Sequence, residues 1–185
     1  MKRAPIIWRL RNTLQYPYIR GWFAEKLLPV AGTAGLMSAI GRTSAVLIKK
    51  DGTRVNYGIL GRRVVTTAFV SFVVDQLQTE TSVFGDFKFH DSGVGTTAEN
   101  AGDTIIETTD GESRATGTQT EASATVYKSV GTIAYTTTKA ITEHGLFNDA
   151  TAGTLMDRTK FAAINVVNGD SIQFTYTLTC NNGGT

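Results

Sequence analysis

Residues 141–179 read ITEHGLFNDATAGTLMDRTKFAAINVVNGDSIQFTYTLT. Their last part is the plainest: Ile172, Phe174, Tyr176 and Leu178 alternate strictly with Ser, Gln and Thr. That period of two marks a strand with one face buried, because successive side chains point to opposite faces. Asn168-Gly169-Asp170 stands just before it, and Asn and Gly tolerate the positive φ of a tight turn. Upstream, Ile141, Gly145-Leu146-Phe147, Leu155 and Phe161 flank the polar run Asn148-Asp149-Ala150-Thr151. The segment predicts two or three β-strands joined by polar turns. It carries no catalytic motif.

Working outward, the same grammar recurs from Ser44 onward. AVLIKK, Asp51-Gly52 and TRVNYGIL predict a hairpin with a DG turn, a strong short-range β signal. The run VVTTAFVSFVVDQLQ (64–78) is rich in Val and Phe and predicts a buried strand followed by a short helix or loop near Asp75–Thr79, the alternative being a helix that begins within residues 69–78. VFGDFKFH (83–90) alternates imperfectly, with Gly85 as a bulge, and leads into the polar loop HDSGVGTTAENAGD. DTIIETT, ESRATGTQT and SATVYKSVGTIAYTTT predict further strands, with Gly111 and Gly131 at turns or bulges. Short strands at roughly 8–15 residue spacing predict an all-β fold, an antiparallel β-sandwich of the jelly-roll or Ig-like kind. Abundant Thr and Gly suit it. The expected organisation is an N-terminal docking arm over 1–43 and a β-sandwich domain over 44–185.

The arm has its own composition. Ile7, Leu10 and Leu14 predict a short amphipathic helix from about Ala4 to Gln15, stopped before Pro17. Trp22–Leu28 adds another turn or two, and LPVAGTAGLMSAIG reads as extended or flexible. Arg9 and Arg11 interrupt the apolar core that a signal peptide needs. Residues 1–24 lack acids, as transit peptides do, but we expect the arm to be retained and ordered. No run approaches the ~18 apolar residues of a membrane span, so no membrane partner is expected. Trp8, Arg9, Arg11, Tyr16, Tyr18, Arg20, Trp22 and Phe23 are the candidate partner-binding residues, because aromatics and Arg dominate interface energetics.

Charge is distributed unevenly. Residues 1–63 carry twelve Lys/Arg against Glu25 and Asp51, whereas 64–185 carry six basic and fourteen acidic residues. The basic end suits an acidic surface: nucleic acid, a membrane face, an acidic protein, or the acidic body of a neighbouring copy. Cys180 is the single cysteine and cannot form an internal disulfide.

Residue types with catalytic potential are few. His90-Asp91-Ser92-Gly93 holds the members of a hydrolase triad, but neighbours on one loop cannot adopt nucleophile–base–orienter geometry. The Gly-Val-Gly at 93–95 lacks the Lys-Ser/Thr that follows in a phosphate-cradling loop. Glu143-His144 with Asp149 or Asp157 matches no metal spacing. Glu99, Asp103, Glu107, Asp110 and Glu112 form an acidic zone without EF-hand spacing. No cofactor, metal site or catalytic residue is expected.

Three segments together resemble structural proteins of tailed bacteriophages: DGTRVNYGILGRRVVTTAFVSFVVD, FKFHDSGVGTTAENAGDT, and ITEHGLF…GTLMDRTKF…INVVNGDSIQFTYTLT. The resemblance spans the chain from the DG hairpin onward and leaves out the arm. It implies a β-rich, non-catalytic subunit of a neck, tail or head surface, located in the virion. Such a subunit would assemble as a symmetric oligomer and meet capsid, portal, neck or tail proteins. The alternatives are a capsid decoration or cement protein, a nucleic-acid- or carbohydrate-binding β-module, and, ranked last, an enzyme using His90 or His144.

Overall fold

Tight turns punctuate the chain where the sequence places them. At the DG turn Gly52 takes φ 86° and its N–H donates to the Lys49 carbonyl at 2.8 Å. The Asp51 carboxylate accepts the Thr53 N–H at 2.9 Å, locking the loop. Gly169 takes φ 94°, a left-handed conformation that only glycine adopts at no steric cost. Asp170 beside it accepts the Lys50 N–H and the Lys49 ammonium, tying two turns together.

The computed structural model describes residues 38–78 and 86–181. The strands are β1 (Ser38–Ile48), β2 (Arg54–Val64), β3 (Phe89–Gly93), β4 (Ala115–Thr116), β5 (Thr118–Ser123), β6 (Val126–Ala134), β7 (Lys139–Phe147), β8 (Leu155–Val166) and β9 (Ser171–Asn181). One helix, α1 (Thr67–Gln78), follows β2. The described residues are thus mostly β, in two sheets ordered β2-β1-β9-β6-β5 and β4-β3-β7-β8. The registered pairs β1–β2, β3–β4, β3–β7, β5–β6, β6–β9 and β7–β8 are all antiparallel.

Side chains from both sheets share one interior. Ala45 and Leu47 of β1, Ile133 of β6 with Tyr135 just after it, and Ile172 and Phe174 of β9 meet Ile141 of β7 and Phe161, Ile164 and Val166 of β8. The alternation along β9 is fully realised: Ile172, Phe174, Tyr176 and Leu178 are buried, and the residues between them are half-exposed. Each such buried side chain contributes about 1.5–3 kcal/mol relative to exposure. A second cluster joins Val65, Phe69 of α1, Phe87, Leu146, Met156, Tyr176 and Leu178.

Three expectations need correction. The run at 64–78 is not a buried strand: β2 ends at Val64 and Thr67–Gln78 is helical. Thr66 caps the helix, its Oγ1 accepting the Phe69 N–H at 3.1 Å and donating to the Leu155 carbonyl at 2.5 Å. Phe69, Phe72 and Val73 then fall at helical spacing on the inward face, with both Phe rings edge-on to Phe87 at 5.1 and 5.2 Å. DTIIETT (103–109) is loop apart from a single bridge between Gly93 and Thr109, because a carboxylate takes its backbone N–H groups. Finally, β1 begins at Ser38, ahead of the expected start at Ser44: Thr43 is buried against Thr159 with a 3.0 Å hydrogen bond. The arm residues Trp8, Arg9, Arg11, Tyr16, Tyr18, Arg20, Trp22 and Phe23 lie outside the described residues.

Candidate functional site

Strands β3 and β7 lie side by side and carry most of the residues with chemical potential. Their register sets His90 opposite Leu146, Ser92 opposite His144 and Gly93 opposite Glu143. Both histidines are buried. His90 Nδ1 and His144 Nε2 are 2.9 Å apart, and His90 Nε2 is 2.9 Å from Ser129 Oγ on β6. His144 stacks on Phe174 at 4.4 Å between centroids, and its Nδ1 has no hydrogen-bond partner. A buried orphan lone pair costs less than a buried orphan N–H, so both rings are assigned the Nε2–H tautomer. The protons then run in one direction, from His144 to His90 to Ser129.

Burial pushes the His90 pKa down to about 4. Burial, with the charge of His90 as a lesser cause, holds His144 well below the usual histidine value. The pair is therefore neutral at physiological pH, and its five-stranded-sheet neighbours leave no room around it. A side chain at Gly131 would strike the His90 ring, and one at Gly117 would meet both that ring and Ser129 Oγ, each at 2.7 Å. The absence of a side chain at both glycines leaves the space that the His90 ring occupies.

The His90-Asp91-Ser92 sequence disperses, as alternation along a strand demands. His90 goes to His144 and Ser129, while Asp91 accepts the Arg114 Nε–H at 2.9 Å. Ser92 donates to Asp110 and lies 3.0 Å from the Tyr135 hydroxyl. Burial pushes the Asp110 carboxyl and the Tyr135 phenol up. No nucleophile–base–orienter relay links the three.

Glu143 and Arg158 form a clasp. The fully buried Glu143 accepts the N–H groups of Gly95, Glu107 and Thr108 and the Arg158 Nε–H at 2.7 Å. Arg158 then reaches Asp103 at 2.9 Å and Glu107 at 3.3 Å. The acidic zone divides between this clasp and a second contact, in which Glu112 accepts from Lys139 and Thr136. Asp149 caps its own turn through the N–H groups of Thr151 and Ala152, and the buried Asp157 accepts from Thr159 at 2.8 Å. Among the described residues no group of three or more His, Cys, Asp or Glu side chains is placed to hold a metal ion.

An open cleft of about 690 Å³ lies beside the clasp, lined by Asp91, Ile105, Ile106, Glu107, Glu112 and Arg114 among others. Arg114 cannot serve a ligand freely: besides Asp91 it donates to the carbonyls of Asp149 and Ala152 and lies over the Phe147 ring at 3.4 Å. Sequence reasoning missed Ser129, Arg114 and Arg158. Only their basic or hydroxyl character was visible, and their partners are far along the chain.

No helix among the described residues is long and apolar enough to cross a membrane. No protein-family model, curated protein or solved structure matches this chain.

Proposed function

We propose that this chain is a non-enzymatic structural subunit of a bacteriophage virion, a neck, tail or head-surface component. It assembles as a symmetric oligomer and docks through its N-terminal arm onto capsid, portal, neck or tail proteins. One observation carries the reading: the residues with catalytic potential are closed inside the sheets and occupied in holding loops. The segment-by-segment resemblance to phage structural proteins supports the same assignment. Two antiparallel sheets sharing one interior support a sandwich of the jelly-roll or Ig-like kind, with the first strand beside the last in one sheet. A capsid decoration or cement protein is the nearest variant of the same reading.

Light scattering on the full chain over a wide concentration range tests it, repeated in low and high salt. A single closed mass of several chains, little changed by salt, is the expected result. A monomer at every concentration that binds single-stranded DNA, with affinity falling steeply as salt rises, would replace it with a nucleic-acid-binding module.

A further inference from the structure

The charged side chains lining the open cleft beside the clasp use only part of their hydrogen-bonding capacity within the chain. Asp91 accepts the Arg114 Nε–H with Oδ2, at 2.9 Å. Glu107 takes the Thr97 N–H and Arg158 with Oε2, at 2.8 and 3.3 Å. Glu112 takes the Thr136 N–H, the Thr136 hydroxyl and Lys139, all with Oε1. Arg114 donates through Nε and Nη1. Asp91 Oδ1, Glu107 Oε1, Glu112 Oε2 and Arg114 Nη2 take no hydrogen bond among the described residues. Each belongs to a side chain whose other atoms hold it in place, and Asp91 is only 7% exposed. A ligand that meets these four atoms does not have to order them first.

The charges decide what kind of ligand fits. Each carboxylate already has its cation: Arg114 for Asp91, Arg158 for Glu107 and Lys139 for Glu112. The cleft therefore does not call for a cationic ligand, and an anion would meet three carboxylates. Among the described residues no such group is placed to hold a metal ion. What the cleft offers is three open acceptors and one open donor beside an apolar patch, Ile105 at 65% exposure with Ala150. A neutral sugar has the matching chemistry. Its hydroxyls both donate and accept, and the C–H face of its ring can cover an aliphatic side chain. The volume of about 690 Å³ is that of a small-molecule site, and an open cleft admits a chain of sugar units.

We propose that this cleft binds a neutral oligosaccharide, its hydroxyls on Asp91 Oδ1, Glu107 Oε1, Glu112 Oε2 and Arg114 Nη2 and one sugar face on Ile105. The inference goes beyond the assembly reading and does not rest on it. It assigns a ligand to a surface of the single chain, and it holds for a monomer or an oligomer.

Saturation-transfer NMR on the full chain tests it, at whatever oligomeric mass the chain adopts. The probes are the trisaccharides of glucose in α- and β-linkage, of mannose and of N-acetylglucosamine, with trilysine as the cationic competitor. At least one sugar is expected to bind with a dissociation constant of about 1 mM or tighter. Two variants, Ile105→Arg and Thr151→Trp, remove the apolar patch and add an indole to the cleft lining, and each is checked for folding by its thermal melt. Either should weaken that sugar at least about tenfold. Transfer to none of the sugars, transfer to trilysine alone, or sugar binding that survives both folded variants would overturn the site. None of these results changes the mass in light scattering, so the assembly reading stands or falls separately.

Discussion

The β3–β7 interior and the β1–β2 hairpin reverse the usual arrangement of polar and apolar side chains. Inside, two histidines, a glutamate and an arginine are buried with hydrogen bonds; outside, Val55, Tyr57 and Ile59 face solvent. Buried polar groups are costly unless partnered, so the interior ones are under strong geometric constraint. Exposed apolar groups on an edge strand carry no such constraint within the chain. The difference separates the two regions by their weight in the fold: the first holds this chain together, and the second contributes little to its packing.

The largest effect should come from breaking the clasp. Glu143→Ala leaves the Arg158 Nε–H and three backbone N–H groups without their acceptor while Arg158 keeps Asp103 and Glu107, and removing one partner of a buried pair costs about 3–5 kcal/mol. Urea unfolding followed by circular dichroism measures it. A loss under about 1 kcal/mol would mean that water replaces the carboxylate and that this region is not closed.

Acidification comes next. The folded chain keeps His90 neutral until about pH 4, whereas the unfolded chain takes up that proton near 6.5. Between those values the unfolded state binds more protons, so stability falls as pH drops, by roughly 1.4 kcal/mol per pH unit for a histidine. His144, shifted the same way, adds to the fall. The depressed carboxyls of Glu107 and Glu112 lose their contribution only at lower pH, below their usual value of 4.5. The raised Asp110 acts in the opposite direction, favouring the folded state on acidification. Melts in steps from pH 7 to 5 should therefore decline before the carboxylates titrate. A flat profile there would show the histidines to be solvated.

Gly131→Ala is a smaller perturbation in the same region. Its methyl group meets the His90 ring, and overpacking of this kind costs about 1–3 kcal/mol. The smallest effect on stability belongs to the hairpin, where Tyr57→Ser should change the free energy of unfolding in urea by no more than about 0.5 kcal/mol. A large loss of stability from Tyr57→Ser would dissolve the contrast between the two regions.

Much of the β architecture was legible without coordinates. The alternation of Ile172, Phe174, Tyr176 and Leu178 and the glycines of the DG and NGD turns are local signals, and local geometry obeys them. The helix α1 was legible only as the second reading of residues 69–78, since Val and Phe at 65–74 satisfy a strand and a helix equally in composition. What settles it is Thr66, whose cap is completed by Leu155 and Met156 on another strand. DTIIETT likewise has strand propensity, but Glu143 competes successfully for its N–H groups. The dispersal of His90, Asp91 and Ser92 could have been anticipated from period-2 alternation; their actual partners could not.

By itself, then, the sequence determined the β-rich class, the positions of the tight turns, the buried face of β9 and the opposition between a basic beginning and an acidic body. Those properties depend on residues close together in the chain, where propensity, periodicity and φ restrictions act directly. Only the tertiary structure decided that His90 meets His144 and Ser129, that Glu143 meets Arg158 and the 95–108 loop, and that the β1–β2 tip stays uncovered. Such pairings depend on which strands lie side by side and which sheets face each other across the interior, and burial makes each of them an all-or-none matter of finding a partner.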